Sequence, residues 1–412
     1  MLLARLLQQA IRVGTLAVVD AGGATHLFQG RVEGPSITVR LHDERLHRRL
    51  FYNPALHVGE AYMAGTLTVE DGTIYDFLDL VGRNYEVTRG AFHPFTDGVR
   101  RLDELFRRAQ QYNTKGRARG NVAHHYDLSS ALYDLFLDRD RQYSCAYFPN
   151  GDEDLETAQA LKKRHIAAKL LVEPGHRVLD IGSGWGGMGL YLAREYGARV
   201  VGVTLSEEQL KLSRARAERA GLAGRAGFDL KDYREVEGRF DRVVSVGMFE
   251  HVGLGHYRTY FRKVRQLLAD DGVALVHTIG SSYPPPYATN PWIRKYIFPG
   301  GYTPALSEIL TAVEKEGLWV TDVEVLRLHY AQTLRHWRRR FTANRDRAKA
   351  LYDETFCRMW EFYLAASEVS FRHMGNVVFQ LQLARRQDAV PLTRDYIVEC
   401  ERSPEPRRVS VA

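Results

Sequence analysis

The stretch Val178-Leu179-Asp180-Ile181-Gly182-Ser183-Gly184-Trp185-Gly186-Gly187 decides the fold of this 412-residue chain. It is an apolar strand that runs straight into a glycine-rich turn, and a helical pattern follows. Glycines are needed in such a turn because ligand atoms approach the backbone closely and because a Cβ forbids the required backbone conformations. The stretch therefore predicts a ligand site at the carboxyl end of a strand.

The sequence on both sides extends this pattern to an α/β fold with a doubly wound, mostly parallel sheet. Strand-like runs alternate with helical stretches, as in such sheets. The runs cover 176–181, 199–203, 226–230, 239–246 and 273–278. A last run, 377–383, follows a long helical region and is interpreted as the antiparallel strand that often finishes such a sheet.

The first hundred residues have a different pattern, which predicts a small α+β domain over 1–106. Short strands at 15–19, 26–29, 36–41 and 66–69 are interspersed with helices at 44–51 and 74–81. The polar, basic segment 107–120 lacks apolar periodicity and is interpreted as a linker. The α/β domain then covers 121–400, and 401–412 form a basic tail.

Composition and charge limit the classes of function. The chain is 45% hydrophobic and 26% charged, as in ordinary globular proteins. Its three cysteines are too few and too scattered for a disulfide framework or a cysteine-based zinc site, which favours a reducing, cytoplasmic setting. The net charge of +7 favours anionic partners, either nucleic acid or acidic lipid. No apolar run reaches the roughly 18 residues that cross a bilayer.

The strand that follows the glycine-rich turn separates two classes of cofactor. A nicotinamide enzyme carries an acid at the end of that strand to hold the ribose hydroxyls. Here the strand ends Gly202-Val203-Thr204-Leu205-Ser206-Glu207-Glu208-Gln209, with Thr and Gln in place of the acid. The position of Asp180, just before the glycines, resembles that of an acidic residue in methyltransferases that use S-adenosylmethionine. This cofactor is therefore expected.

Further motifs resemble one family. They are His125-Tyr126-Asp127-Leu128, Tyr143-Ser144-Cys145-Ala146-Tyr147-Phe148, Lys231-Asp232-Tyr233-Arg234, Ser245-Val246-Gly247-Met248-Phe249-Glu250-His251-Val252-Gly253, His277-Thr278-Ile279-Gly280 and Pro291-Trp292-Ile293 through Tyr296-Ile297-Phe298-Pro299. Together with the glycine-rich turn they resemble the cyclopropane-fatty-acyl-phospholipid synthases. This family includes mycolic acid cyclopropane synthases and related acyl-chain methyltransferases. The matching motifs spread over about two thirds of the chain.

The resemblance implies a Rossmann-like class I methyltransferase domain behind a sterol-carrier-like, lipid-binding N-terminal domain. It assigns S-adenosylmethionine to Tyr143, Ser144, Asp180, Gly182, Ser183, Gly184, Thr204, Leu205, Ser206, Gln209, Asp232 and Tyr233. It assigns a bicarbonate ion, the family's general base, to the catalytic residues Cys145, Glu250, His277, Ile279 and Tyr330. Two alternatives stay open, because Cys145 can be a buried small hydrophobe and Tyr330 a core aromatic.

The implied reaction builds a cyclopropane ring on an unsaturated acyl chain of a membrane phospholipid. Methyl transfer to the alkene leaves a carbocation, which aromatic faces stabilise and which a base deprotonates so that the ring closes. The aromatic candidates are Tyr143, Tyr147, Phe148 and Phe249. Because a carboxylate repels bicarbonate, Glu250 is expected to accept a hydrogen bond from the ion's hydroxyl, or to orient His277 and Tyr330.

Two departures from the family pattern bear on this expectation. Ser183 replaces a cysteine in the glycine-rich turn, which is a small polar change without expected effect. Ser367 replaces a cysteine that was once proposed as catalytic, which weakens a nucleophilic-cysteine mechanism. The second departure leaves room for an alternative product, a methylene-branched, methyl-branched or furan-precursor chain without a ring.

An alternative of another class is a methyltransferase that binds nucleic acid. Basic and aromatic residues support it, but no recognisable RNA-binding module occurs, and nucleic acid is not an expected partner. A metal is not expected either. Among His124, His125, His251 and His256, adjacent histidines point in different directions and no carboxylate lies at ligand spacing.

The expected partners are an unsaturated phospholipid, an anionic membrane surface and a second copy of the chain. The N-terminal helix carries leucines at helical spacing, Leu2, Leu3, Leu6 and Leu7. Arginines cluster at Arg335, Arg338, Arg339, Arg340, Arg345, Arg347, Arg407 and Arg408. We hypothesise that this helix and these arginines hold the protein on the inner face of the membrane, although each cluster can equally be a solvated helix face.

Overall fold

A computed structural model describes residues 2–88, 130–285 and 289–403. The strands are β1 Val13–Val19, β2 Thr25–Gln29, β3 Val32–Leu41, β4 Leu67–Val69, β5 Arg177–Ile181, β6 Arg199–Thr204, β7 Ala226–Leu230, β8 Phe240–Val246, β9 Leu268–Ser281, β10 Trp319–Leu326 and β11 Asn376–Ala384. The α-helices are α1 Leu2–Ala10, α2 Leu46–Tyr52, α3 Pro54–Met63, α4 Ile74–Thr88, α5 Ser130–Tyr133, α6 Leu155–Leu170, α7 Gly187–Glu195, α8 Glu207–Arg219, α9 Tyr257–Leu267, α10 Pro291–Tyr296, α11 Leu306–Lys315, α12 His329–Ala343, α13 Arg345–Leu351, α14 Glu354–His373 and α15 Asp395–Arg402.

The chain divides into two compact units that are not contiguous in sequence. The first unit consists of Met1–Arg107, Pro286–Pro299 and Ala331–Asn376, and the second of Arg108–Pro285, Gly300–Tyr330 and Val377–Ala412. The first unit thus contains two segments that the sequence analysis placed in the α/β domain. The linker 107–120, the motif 125–128 and most of the tail lie outside the described residues, so the domain boundaries stay a prediction.

The first unit contains a four-stranded sheet in the order β2-β1-β3-β4. Strand β1 pairs antiparallel with β2 and parallel with β3, and β3 pairs antiparallel with β4. Leu3 and Leu6 of α1 belong to its core, because both are buried while Arg5 is exposed. Helix α1 packs on α2 and α4. The hypothesis that these two leucines contact a membrane is therefore wrong.

Several of the clustered arginines form ion pairs inside the first unit. Arg338 binds the fully buried Glu368 at 2.9 Å, and its guanidinium lies 3.8 Å from the centroid of the Tyr75 ring. Arg345 pairs with Glu354 at 2.6 Å. These arginines hold helices together, whereas Arg339 and Arg347 are exposed and remain available to anions. Arg407 and Arg408 lie outside the described residues.

The second unit contains the predicted doubly wound sheet. Its seven strands have the order β10-β11-β9-β8-β5-β6-β7. The five strands from β5 to β9 pair in parallel. The predicted last strand is β11, and it pairs antiparallel with β10. It does not finish the sheet, because β10 forms the edge, a strand that the sequence analysis missed.

Burial explains why the central strands were easy to identify and β10 was not. Val178, Leu179 and Ile181 of β5 are almost fully buried, as expected for a parallel strand that is covered by helices on both faces. Trp319 at the start of β10 is 48% exposed, and most of that strand is only partly buried. An edge strand with mixed burial gives a weak sequence pattern. Among the described residues, no helix is both long and apolar enough to span a bilayer.

Candidate active site

A cavity of about 1270 Å³, including its open mouth, lies in the second unit. Its walls include the carboxyl ends of β5, β6 and β8, which is where open α/β sheets bind ligands. The segment 141–144 forms another part of the wall. The glycine-rich turn that decides the fold therefore opens into a space large enough for a nucleoside-sized ligand.

The turn after β5 has a backbone that requires glycine. Gly182, Gly184 and Gly186 have φ angles of 77°, 54° and 83°. A Cβ on Gly182 would lie 2.8 Å from the Cβ of Met248. The N–H groups of Gly182 and Ser183 both donate to the carbonyl oxygen of Val203, at 2.9 and 3.0 Å. These bonds fix the turn to the end of β6.

The cavity collects almost all of the residues that the resemblance assigned to S-adenosylmethionine. It is lined by Tyr143, Ser144, Asp180, Gly182, Ser183, Gly184, Thr204, Leu205, Gln209, Asp232 and Tyr233. Ser206 is the exception, because it does not line the cavity and its Oγ caps α8 by accepting from the N–H of Gln209 at 3.3 Å. We correct its role to that of a helix cap.

One end of the cavity presents an aromatic ring and a paired charge. Asp232 is buried, and its two oxygens accept from the guanidinium of Arg234 at 2.8 and 2.6 Å. The Tyr233 ring packs edge-on against Tyr260 at 5.3 Å between centroids. The Asp232 carboxylate is thus held by Arg234, which also lines the cavity and which the sequence analysis did not single out.

Three ionisable groups, of which Asp180 and Lys162 are fully buried, have shifted pKa values at or behind the cavity wall. Burial raises the pKa of Asp180 to about 7 and lowers that of Lys162 to about 7. Burial also lowers the pKa of His251, which lines the cavity, to about 4. Within the described residues, Asp180 Oδ2 and Ser183 Oγ are buried without a hydrogen-bond partner. Buried polar atoms of this kind indicate a ligand or bound water.

A second cluster lies next to the cavity, at the ends of β8 and β9. Glu250 Oε1 accepts a hydrogen bond from the N–H of Ile279 at 2.6 Å, and the carbonyl oxygen of Glu250 accepts from the N–H of Tyr302 at 3.1 Å. Its other carboxyl oxygen, Oε2, is buried and has no partner in the part of the chain that the structure describes. Burial raises the pKa of Glu250 to about 7.

His277 is positioned by Gln380 of β11. Its Nδ1 lies 3.1 Å from Gln380 Nε2, and its Nε2 is buried without a partner among the described residues. Burial lowers the pKa of His277 well below its ordinary value, so the ring is neutral. The alternative that Glu250 orients His277 is therefore wrong. One sequence signal could have identified Gln380, because it is a polar residue within the apolar run Val377-Val378-Phe379-Gln380-Leu381.

The structure also locates the remaining residues assigned to bicarbonate. Cys145 is fully buried, and its Sγ donates to the carbonyl oxygen of Ala146 at 3.2 Å. Tyr330 is buried in the first turn of α12. The neighbouring His329 accepts at Nδ1 from the N–H of Phe148 at 2.9 Å. None of Cys145, Glu250, His277, Ile279 and Tyr330 lines the cavity itself, which separates the cofactor site from the predicted base site.

The aromatic candidates have different surroundings. Tyr143 lines the cavity. The Tyr147 ring is stacked on His165 at 4.2 Å and on His329 at 5.1 Å between centroids. Phe249 is fully buried in an aromatic core cluster, 4.5 Å from Tyr257. The prediction that Phe249 faces a carbocation is therefore wrong, because core side chains cover its ring.

The histidines do not assemble into a metal site in the described part of the chain. No group of three or more His, Cys, Asp or Glu side chains there could hold a metal ion. His251 lines the cavity, and His256 ends a short 3-10 helix. His124 and His125 lie outside the described residues.

Comparison with known proteins identifies the family of this chain. Residues 113–381 match the family described as mycolic acid cyclopropane synthetase. The chain belongs to this family. It is an S-adenosylmethionine-dependent methyltransferase of the cyclopropane-fatty-acyl-phospholipid synthase family. The Rossmann-like class I fold of the second unit is thereby confirmed.

Relatives of this methyltransferase differ in their named products. It is 37% identical over 358 residues to a cyclopropane-fatty-acyl-phospholipid synthase of Escherichia coli, covering 84% of this chain and 87% of the relative. It is 38% identical over 380 residues to a tuberculostearic acid methyltransferase of Mycobacterium tuberculosis, covering 89% and 87%. A crystal structure of mycolic acid cyclopropane synthase CmaA1 complexed with SAH and CTAB matches with a TM-score of 0.61 and 33% identity, covering 64% and 97%. Sequence identity alone therefore does not select one product.

Proposed function

We propose that this methyltransferase transfers a methylene group from S-adenosylmethionine to the cis double bond of an unsaturated acyl chain in a membrane phospholipid, forming a cyclopropane ring. The observation that carries the proposal is that Glu250 follows β8 and His277 lies on the neighbouring strand β9, and that each has a buried polar atom without a partner among the described residues. Met248 and His251 line the cavity on either side of Glu250 in the sequence. Transfer and deprotonation can thus occur at neighbouring positions.

The cavity fits S-adenosylmethionine, which would supply an electrophilic methyl group on sulfur. Its eleven matching lining residues would hold the cofactor, and Asp180 Oδ2 and Ser183 Oγ would gain the partners that they lack. The CmaA1 structure complexed with SAH supports this assignment. Ser183 in the glycine-rich turn leaves the backbone conformation unchanged, because the flanking glycines supply the positive φ angles.

The Glu250 and His277 pair fits a bicarbonate ion, which would supply a general base for the proton of the former methyl group. Gln380 Nε2 donates to His277 Nδ1, so the proton of the neutral ring lies on Nε2, where it can donate to an anion. Glu250 Oε2 can accept from the ion's hydroxyl. A donor and an acceptor, both buried, are what an ion with a hydroxyl and anionic oxygens requires. Cys145, Ile279 and Tyr330 remain proposed members of this site.

Glu250 can also take up a proton at neutral pH. Its pKa of about 7 is far above the ordinary value for a glutamate because the carboxyl group is buried. A group with such a pKa exchanges protons readily near the pH of a cell. We assign Glu250 the role of accepting a hydrogen bond and, transiently, a proton, while the N–H of Ile279 fixes its orientation.

A second product is favoured by one specific relative. The tuberculostearic acid methyltransferase is as similar to this chain as the cyclopropane synthase is. The same site would give a methylene-branched chain if a hydride moved to the cationic carbon before the former methyl group lost its proton. It would give a methyl-branched chain that is still unsaturated, or a furan precursor, if a chain carbon lost the proton instead. Ser367, which replaces the family cysteine, lies within α14 of the first unit.

The proposed setting is the inner face of the cytoplasmic membrane, where a homodimer draws the acyl chain from anionic lipid. The net charge of +7 and the exposed arginines of α12 and α13 support attraction to such a surface. No observation favours nucleic acid as the substrate. Pelleting with anionic liposomes that is indifferent to salt concentration would contradict the electrostatic attraction.

Mass spectrometry of lipids from a host that produces this protein tests the proposed function. Unsaturated chains should gain the mass of one methylene group, nuclear magnetic resonance should show a cyclopropane ring, and Glu250→Gln should abolish the gain. Glu314→Gln is the matched control, because this residue is exposed on α11. The same mass gain with a branch would select the second product, and unchanged lipids would reject both.

A further inference from the structure

Lys162 of α6 is a fully buried lysine to which the proposed mechanism gives no role. Its Nζ donates to Gln142 Oε1 at 2.6 Å and to Ser144 Oγ at 2.9 Å. Both acceptors line the cofactor cavity. The lysine therefore lies directly behind one wall of the cavity, although it does not line the cavity itself.

Helix α6 supports this wall at a second point. Gln159, one turn before Lys162, donates through Nε2 to the carbonyl oxygens of Gln142 and Ser144, at 3.2 and 2.9 Å. Gln142 in turn lies where a side chain on Gly187 would be, because a Cβ there would come within 2.0 Å of its Nε2. The wall segment is thus fixed on two sides.

The direction of these hydrogen bonds determines what the wall offers to a ligand. An ammonium group can only donate. Ser144 Oγ accepts from Lys162, so its single hydroxyl hydrogen is left to donate in another direction. The Gln142 amide is oriented in the same way, because its Oε1 accepts from Lys162 and its Nε2 donates to Asp140 Oδ2 at 3.0 Å. The Lys162 charge therefore makes Ser144 a donor.

A buried cation behind a hydroxyl donor recruits an anion. Burying a charge is unfavourable unless an opposite charge comes close, and burial lowers the pKa of Lys162 to about 7. A bound anion would raise this pKa and keep the ammonium form, which donates to Ser144, at neutral pH. The charged or titratable groups whose charges act on Lys162 or feel its charge include Asp138, Asp140, Lys163, Cys145, Asp180 and His277. S-adenosylmethionine has one anionic group, the carboxylate of its methionyl part.

We propose that Lys162 is a positioning residue that acts through Ser144 to bind the carboxylate of S-adenosylmethionine. The inference rests on the proposed assignment of the cofactor to this cavity. Lys162 orients the Ser144 hydroxyl, supplies the compensating charge, and thereby fixes the methionyl end of the cofactor. The position of the sulfur and its methyl group follows from that of the methionyl end.

Calorimetric titration of Lys162→Met with two ligands tests the proposal. The ligands are S-adenosylhomocysteine and its decarboxylated analogue S-adenosyl-3-thiopropylamine, which lacks only the carboxylate. We expect the affinity for S-adenosylhomocysteine to fall by about 10- to 100-fold, the usual effect of losing a hydrogen bond that involves a charge, and the affinity for the analogue to stay unchanged. If Lys162 had only a structural role, its replacement would lower the affinity for both ligands by the same factor.

Lys169→Met is the matched control. Lys169 is equally buried on the same helix, but its ammonium pairs with Glu324. Its loss should leave the ratio of the two affinities unchanged, even if it destabilises the protein. An equal loss for both ligands in Lys162→Met, or an unchanged affinity for S-adenosylhomocysteine, would overturn the proposal.

Ser144→Ala provides a second, independent variant in case Lys162→Met does not fold. It removes the hydroxyl and leaves Lys162 paired with Gln142. We expect the same selective loss, and no further loss when the two substitutions are combined. An unchanged affinity for S-adenosylhomocysteine in Ser144→Ala would contradict the inference. If neither ligand binds the wild-type protein, the proposed cofactor site fails instead.

Discussion

Gln380 Nε2 lies 3.1 Å from His277 Nδ1, and this hydrogen bond determines which nitrogen of a buried, neutral histidine is free to meet a ligand. The two residues lie on β11 and β9, which are neighbours in the sheet. The two residues are far apart in the sequence and meet only in the folded sheet. The contact between Gln380 and His277 therefore depends on strand order.

Replacing Gln380 by leucine should lower kcat without weakening cofactor binding. The His277 ring would lose the partner that selects its tautomer, and such orienting partners typically contribute 10- to 100-fold to a site. Kinetics at saturating S-adenosylmethionine would measure kcat, and calorimetry would measure the affinity for S-adenosylhomocysteine.

The control for this prediction is Gln382→Leu. Gln382 is also buried on β11, but its amide binds the hydroxyl of Tyr396 at 2.6 Å and does not reach His277. It should destabilise the fold and leave kcat unaltered. An equal loss of kcat in both variants would show that Gln380 acts only through stability.

Glu250→Gln should stabilise the folded protein at alkaline pH. The folded-state pKa of Glu250 is raised from 4.5 to about 7, so its favourable contribution is fully present below about pH 4.5 and is lost as the pH rises through 7. The neutral amide avoids this loss. The difference in unfolding free energy between variant and wild type should grow by about 2 kcal/mol from roughly pH 5 to roughly pH 8.

Urea titration at the two pH values would measure this difference. Glu314→Gln, on the exposed side of α11, should show no such growth. If the Glu250→Gln difference were independent of pH, the carboxyl group would not be held protonated in the folded protein at neutral pH.

The activity should rise with pH through about 7 as Glu250 ionises. Only the ionised carboxyl group can accept the hydrogen bond and proton that we assign to it, so kcat should fall about tenfold for each pH unit well below 7. The profile requires saturating cofactor and a constant bicarbonate concentration. A profile that stays flat through pH 7 would contradict this role of Glu250.

Gly187→Ala should weaken cofactor binding. Its Cβ would lie 2.0 Å from Gln142 Nε2, so the Gln142 amide, which lines the cavity and accepts from Lys162, must move. We expect the KM for S-adenosylmethionine to rise by at least about tenfold, as expected when one charged hydrogen bond is lost. Gly227→Ala is the control, because a Cβ there meets no atom within 4 Å. Equal effects of both substitutions would contradict the steric explanation.

Leu6→Ala should destabilise the first unit and leave membrane binding unaffected. Leu6 is 8% exposed, and truncation of a buried leucine typically costs about 2 to 5 kcal/mol. Arg5→Ala, on the exposed side of the same helix, should change stability little. Urea titration and liposome pelleting together would check the prediction. If Leu6→Ala pelleted less with liposomes while its stability was unchanged, the hypothesis that α1 contacts the membrane would be correct after all.

The sequence was sufficient to predict structure wherever the local residue pattern agrees with the burial of those residues in the fold. The run from Val178 to Gly187 predicts strand, turn and helix, because apolar residues and then glycines are the local solution for a buried strand and a positive-φ turn. The cofactor residues follow from motifs at strand ends. Ser206 shows the limit, because its motif position near the turn does not reveal that its hydroxyl is used to cap α8.

The sequence by itself determined the parallel sheet, the glycine-rich turn and the cofactor class. It also identified Glu250 after β8 and His277 within β9 as site candidates. Each of these predictions depends on a short stretch of chain. The tertiary structure decided which distant side chains meet them. It placed Gln380 on His277 and Lys162 behind Ser144. It also buried Leu6 and Phe249, which the sequence had left open to a membrane and a substrate. The physical reason is that burial and hydrogen-bond partners are set by how elements pack, and a single chain segment does not contain that information.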